Sequence, residues 1–194
     1  ALFCACISYA QIRVQERLPK SKTGFALTTA KTRAKIYYDV NDALVIKRSA
    51  ELFARDIQMV TGQKPELIQK RERAKALVIV GTIEKNQWIC ELAQKGKIDI
   101  RPLQGAWERY LIQTVDNPSP GVAKALVIAG SDRRGAAYGL FSISEMMGVS
   151  PWYWWGDVPV KTHKALYVDA PPTYSKTPSV KYRGIFLNLS LIHI

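Results

Sequence analysis

Ala125-Leu-Val-Ile-Ala-Gly-Ser-Asp-Arg-Arg-Gly-Ala-Ala-Tyr-Gly-Leu-Phe-Ser-Ile-Ser-Glu-Met-Met147 is the stretch that fixes the fold class. Its first residues, Ala125 to Ala129, are apolar and rich in strand formers, and Gly130 ends the run. A short apolar segment bounded in this way reads as a strand buried on both faces. From Arg133 the period changes. Ala136, Leu140, Ile143 and Met147 recur at spacings of 4, 3 and 4, one apolar stripe of a helix that Gly148 stops. Ser131 or Asp132 suits its N-cap. Gly135 and Gly139, one turn apart, each cost about 1 kcal/mol of helix stability relative to alanine. Close approach of the helix backbone to a sheet, which a Cβ would block, is the expected return. A buried strand feeding an amphipathic helix is the repeating unit of α/β domains.

Working outward, Ala76-Leu-Val-Ile-Val-Gly81 repeats the buried-strand character, and Ala34 to Asp39 is rich in strand formers. Asn41 or Asp42 can cap a helix that runs to about Thr61, with Ile46, Ala50, Phe53, Ile57 and Val60 as its stripe and Gly62 at its C-terminal stop. Asn86 to Lys95 is a shorter helix candidate. Trp107 to Val115 and Lys164 to Asp169 read as further strands, and Asn117-Pro-Ser-Pro-Gly121 as a turn. The expectation is a two-layer α/β domain, a mixed sheet with the Asp42–Thr61 and Arg133–Met147 helices packed on it.

Both ends differ from this middle. Residues 1–10 are uncharged and almost wholly apolar, with Ser8 and Ala10 placed as at a signal-peptidase site. They read as the remnant of a signal peptide; the alternatives are a buried N-terminal strand or, as a minor option, a lipid-bearing Cys6. Residues 11–170 form the α/β domain. Residues 171–179, with Pro171 and Pro172, read as an extended linker. Val180 to Asn188 starts a new strand in a segment, 180–194, too short to bury a core of its own.

At 194 residues and 47% hydrophobic, the composition is globular, and no apolar run approaches the roughly 20 residues that span a bilayer. The net charge of +12 raises a nucleic-acid, membrane-surface or acidic-polymer reading. The basic residues are spread from Arg13 to Arg183 and not gathered on one helix face, which favours a solvated surface, with no nucleic-acid and no membrane partner. If residues 1–10 are removed, Cys90 is the sole cysteine, so no internal disulfide forms. With His163 and His193 as the histidines, no structural zinc site is expected, nor any other metal or cofactor.

Gly130-Ser-Asp-Arg-Arg-Gly135 sits where phosphate-binding loops sit, but it lacks the Lys and Ser/Thr of a Walker loop and the spacing of a dinucleotide loop. Ser131, Ser142, Ser144 and His163 can be combined on paper into a nucleophile set, yet no nucleophile elbow supports one. Pro151-Trp-Tyr-Trp-Trp-Gly-Asp157 is the most unusual stretch. Aromatic faces beside a carboxylate suit sugar binding, and equally suit a core or an interdomain contact. A carbohydrate-binding module using Trp152–Trp155 is therefore one functional alternative, and a basic nucleic-acid binder a weaker one.

The run from Gly130 through Pro151-Trp-Tyr-Trp-Trp-Gly-Asp-Val-Pro-Val160 resembles glycoside hydrolase family 115, the xylan α-1,2-glucuronidases. Val180-Lys-Tyr-Arg-Gly-Ile-Phe-Leu-Asn188 is similar to the segment that opens that family's catalytic barrel. A looser similarity extends to the N-terminal domains of families 20 and 67. The resemblance covers about Ile36 to Asn188 and is most specific in its last 60 or so residues. It implies a secreted or periplasmic enzyme whose N-terminal α/β accessory domain precedes a (β/α)8 barrel. It implies removal of glucuronic acid, or its 4-O-methyl form, from glucuronoxylan with inversion, which needs an acid and a base separated by a water. It allows a homodimer of the full-length enzyme. Asn188 is the pocket residue it carries over, and Trp155 and Asp157 would approach the barrel mouth. At Leu189-Ser190 the sequence departs from the family, where acidic residues continue towards the active site, and the tail to Ile194 no longer resembles it. The barrel is expected to be truncated, the catalytic acid and base to lie outside this sequence, and this chain to be inactive alone.

Overall fold

The computed structural model describes residues 11–153 and 156–184. The signal-like residues 1–10, Trp154, Trp155 and the segment from Ile185 through Asn188 to Ile194 lie outside them.

The elements follow in the order β1 (Arg13–Gln15), β2 (Gly24–Thr28), β3 (Lys35–Tyr38), α1 (Leu44–Thr61), β4 (Leu67–Ile68), β5 (Ala74–Thr82), α2 (Gln87–Gln94), a 3-10 turn (Arg101–Leu103), β6 (Tyr110–Ser119), β7 (Val122–Gly130), α3 (Arg133–Met146), β8 (Leu166–Asp169) and β9 (Thr173–Tyr174). The main sheet has the order β4-β3-β5-β7-β6-β9. β4, β3, β5 and β7 run parallel, and β6 and β9 antiparallel, so the sheet is mixed as expected.

The two apolar runs become its central parallel pair, with Val78 opposite Leu126 and Val80 opposite Ile128. Successive side chains alternate between faces. Ile36, Tyr38, Val78, Val80, Leu126, Ile128 and Ile112 meet α1 and α3. Tyr37, Leu77, Ile79, Val127 and Leu111 meet α2 on the other side, where the Tyr37 and Trp88 rings pack edge to face at 4.9 Å. Continuous apolarity is what a strand covered on both faces requires.

Helix α1 starts one residue later than the expected cap. Ala43 occupies the N-cap and has no side chain to offer. Asp42 instead accepts the Thr82 amide (2.7 Å) and hydroxyl, joining the end of β3 to the end of β5. A missing cap costs about 1 kcal/mol. The fully buried Ile46, Phe53, Ile57 and Val60 each contribute about 1.5–3 kcal/mol, so the stripe outweighs the cap. Gly62 ends the helix at φ 71°, as its position suggested.

Three further differences have local causes. Trp107–Arg109 precede β6 and do not belong to it, and Glu108 has φ 55°. At its far end β6 continues through Asn117 and Pro118, expected as turn, because a register shift between Asp116 and Ser119 relieves the ladder at the proline. The strand at Leu166–Asp169 joins a separate antiparallel sheet, β1-β8-β2, and not the main one. Phe25, Leu27, Leu166 and Val168 of that sheet extend the same core as α1 and α3.

Within the proline-rich segment, expected as an extended linker outside any sheet, Thr173–Tyr174 instead form β9 of the main sheet, because the two prolines precede the pairing residues. Thr173–Tyr174 pair with Ile112 and Leu111, the Thr114 amide donates to Ala170 O, and the Tyr174 hydroxyl donates to Asp99 O at 2.7 Å.

Candidate functional site

Open α/β sheets bind ligands at the carboxyl ends of their strands, where the connections diverge to opposite sides. Here that point lies between β3, which leads to β4, and β5, which leads towards β6 and β7. It is filled from within. Asp42 holds Thr82, and Asp39 accepts the Asn41 and Gln87 amides. Asn86 is fully buried, donates to Val80 O at 3.0 Å, and accepts the Trp88 and Ile89 amides at 3.1 Å each. A Cβ at Gly81 would lie 2.7 Å from Asn86 Cβ and 2.8 Å from an Asp42 oxygen.

The N-terminus of α3 is equally committed. Asp132 is the cap, its Oδ1 accepting the Arg134 (2.9 Å) and Gly135 (2.8 Å) amides. Those are the donors a phosphate would use, so Gly130–Gly135 is a capped strand-to-helix turn. Asp132 Oδ2 also accepts the Glu108 amide (2.7 Å), and Ser131 Oγ accepts the Arg109 amide (3.0 Å). The glycines serve close packing of α3: a Cβ on Gly135 would collide with Arg109 O in the strap before β6, one on Gly130 with the Ala136 amide, and one on Gly139 would lie 2.6 Å from Ile128 Cγ2 of the sheet.

Beside this turn is a charged cluster that the sequence did not announce. Glu108, 5% exposed, accepts from Arg134 at 2.9 Å on one side and from Arg183 on the other. The Arg183 guanidinium also lies 5.9 Å from the Trp107 ring. The cover over Glu108 is thin, being made of these long side chains and not of core. Arg134 and then Arg183 hold the Glu108 carboxyl below its ordinary value of 4.5. A depressed carboxylate stabilises what it holds above its unfolded pKa, and that contribution disappears as pH falls through the folded value. The clasp on residues 181–184 is thus fully formed above about pH 4.5 and lost on acidification. Glu108→Gln should accelerate trypsin cleavage after Arg183 several-fold at pH 8 and abolish any change in tryptophan emission between about pH 5 and about pH 3. Unchanged cleavage would show that Glu108 does not hold this segment. A recess of about 280 Å³ next to the clasp is lined by Trp107, Arg133, Lys181 and Tyr182 among others.

The aromatic stretch divides. Trp152 is 63% exposed. Tyr153 turns inward, packs against the core, and accepts a hydrogen bond from Arg55 of α1 at 2.7 Å. It belongs to the wall of a groove of about 450 Å³ between α1 and α3 with Leu52, Tyr138 and Phe141. Buried Asp56 lies in the same groove, its carboxyl raised above its ordinary value mainly by burial. Asp157 stands in an exposed loop at φ 46°. Trp155 and Asn188 lie outside the described residues, so of the three residues named for substrate binding Asp157 alone is placed.

The paper nucleophile set does not assemble. Ser142 Oγ is 2.6 Å from the Tyr110 hydroxyl, Ser131 is tied to Arg109, and His163 Nδ1 is 2.6 Å from Glu16. Cys90 is a free thiol raised by burial. Among the described residues no cluster of His, Cys, Asp and Glu could hold a metal, and no helix is long and apolar enough to cross a membrane.

This architecture is that of a glycoside hydrolase-associated domain. A solved structure, described as that of BtGH115A, a family GH115 4-O-methyl-α-glucuronidase with specificity for decorated arabinogalactans, matches at a TM-score of 0.63 and 28% identity. The match covers 81% of this chain and 19% of that one, so the chain spans about a fifth of its length. CpGH84D (10% identity, TM-score 0.49, 84% of this chain and 22% of that one) is more distant. So is the GH20 β-N-acetylhexosaminidase from Streptomyces coelicolor (13% identity, TM-score 0.43, 84% of this chain and 25% of that one). Neither is close enough to carry weight. No family model and no curated protein matches the chain.

Proposed function

We propose that this chain is the N-terminal accessory domain of a secreted or periplasmic family 115 glycoside hydrolase. The parent enzyme removes glucuronic acid or its 4-O-methyl form from xylan, and this chain is inactive alone. The observation that carries the reading is the 28% identity to a glucuronidase over 81% of this chain. Asp39, Asp42 and Asp132, beyond the carboxyl ends of β3 and β7, and Glu108, before the amino end of β6, each accept backbone amides or arginines, and Glu84, beyond β5, is exposed. Inverting hydrolysis needs two carboxyl groups facing an open cleft across a sugar and a water. Purified chain incubated with glucuronoxylan should release no uronic acid above a vector control, and the longer polypeptide should release it with inverted anomeric configuration. Turnover by this chain would overturn the accessory role. No release by the longer polypeptide, from xylan or from decorated arabinogalactan, would overturn the glucuronidase.

A further inference from the structure

We propose that the shallow groove between the start of β5, the end of α2 and the β6–β7 turn binds carboxylated polysaccharide. The groove, about 710 Å³, is lined by Arg73, Lys75, Lys95 and Lys97, with no acidic side chain in its wall. Arg73 and Lys75 are alternate residues at the start of β5 and project to one side of it, while Lys95 and Lys97 flank Gly96 in the turn that ends α2, with Lys97 Nζ donating to Asn117 O at the groove's edge. The nearest acids are engaged: Glu72 pairs with Lys35 at 2.8 Å, Glu91 with Arg71 at 2.6 Å, and Asp116 with Lys124 at 3.1 Å. Glu91 reaches Lys95 only at 3.9 Å.

A wall of one sign over a low-dielectric floor concentrates counter-charge. The accessible apolar surface of the groove comes from Ala74, Pro120 and Ala123, over the buried Pro118 and Val122, and the C–H faces of sugars can lie against it. It holds no aromatic ring, the platform on which single-stranded nucleic acids stack their bases. A chain of sugars bearing spaced carboxylates therefore fits better than a nucleic acid. The groove lies at the amino ends of β5 and β7, whereas residues 181–184 are clasped at their carboxyl ends. It faces away from that clasp.

The choice of polymer rests on the function proposed above, but binding and hydrolysis can fail separately. The test is affinity electrophoresis of this chain at low salt in gels containing glucuronoxylan, or the same polymer with its carboxyl groups reduced to alcohols. Lys75→Gln/Lys95→Gln changes two exposed side chains and should keep the fold. Lys20→Gln/Lys31→Gln, also exposed, removes the same charge elsewhere. The expected result is retardation by glucuronoxylan and not by the reduced polymer. Affinity should fall about five- to tenfold in the groove variant, as two exposed ion pairs allow, and stay unchanged in the control. Equal loss in both variants would assign binding to overall charge and overturn the site. Retention by the reduced polymer would overturn it in favour of ring stacking at Trp152. Displacement of glucuronoxylan by single-stranded DNA at equal charge concentration and higher salt tolerance would overturn it in favour of nucleic acid.

Discussion

Replacing Gly135 with alanine is expected to lower the stability of the domain by about 3 kcal/mol, read as a fall in the urea midpoint. Two effects oppose each other at this position. Alanine in a helix interior is favoured over glycine by about 1 kcal/mol, so propensity alone predicts a stabilised protein. The space for the methyl group, however, is already held by the Arg109 carbonyl oxygen, a backbone atom in the strap before β6. That strap is pinned by Ser131 and Asp132, so it cannot withdraw without breaking the α3 cap. Displaced backbone costs more than propensity returns, and the sign is destabilising. Gly148→Ala provides the contrast, because its Cβ would meet open space and only its φ of 90° is unfavourable. A loss of about 1 kcal/mol is expected there. If Gly135→Ala were as stable as the unmodified chain, the close contact between α3 and the strap would be wrong.

Asn86→Ala should cost about 2–4 kcal/mol, from a lost cap and an unpaired buried carbonyl. The Asn86 side chain is fully buried, accepts the Trp88 and Ile89 amides and donates to Val80 O. Asn86→Asp separates the two roles. It preserves the acceptor for the cap but turns the donor into a carboxylate facing a carbonyl, with Asp39 and Asp42 nearby. Burial and like charge raise such a group's pKa, and a raised carboxylate loses stability as pH climbs above its ordinary value of about 3.9. The aspartate variant should thus approach the unmodified chain at acid pH and fall away from it towards neutrality, while the alanine variant keeps a constant deficit. Parallel urea titrations at the two pH values decide; equal deficits at both would mean that Asn86 Nδ2 does not serve Val80.

The strands and helices of the middle of the chain were legible because their physics is local. The stripes Ile46–Val60 and Ala136–Met147 bury as spacing says they must, and Gly139 touches the sheet for the reason inferred, whereas Gly135 meets the strap before β6. The asparagine, aspartate and serine positions were harder to read. Asp42 and Asp132 look alike in sequence, each preceding a helix, yet Asp132 caps its own helix and Asp42 is drawn to Thr82, 40 residues away. Strands β1 and β2 are short and become readable only through their partner β8, more than 130 residues later. The Glu108 clasp was invisible for the same reason, since it joins residues 108, 134 and 183. Of the aromatic stretch, composition could not tell that Tyr153 would be spent on Arg55 while Trp152 stayed outside.

The short strand β9 has a consequence beyond anchoring the proline-rich segment. β6 is ten residues long and flanks the main sheet on that side. Left bare, such a strand offers a row of unpaired amides and carbonyls on which a second molecule can build. Residues 170–175 occupy that row from Tyr110 to Thr114. The two prolines just before the pairing residues contribute no N–H of their own, so the added strand does not become a fresh template. The segment that leads onward from the domain thereby also keeps neighbouring copies from zipping together along β6.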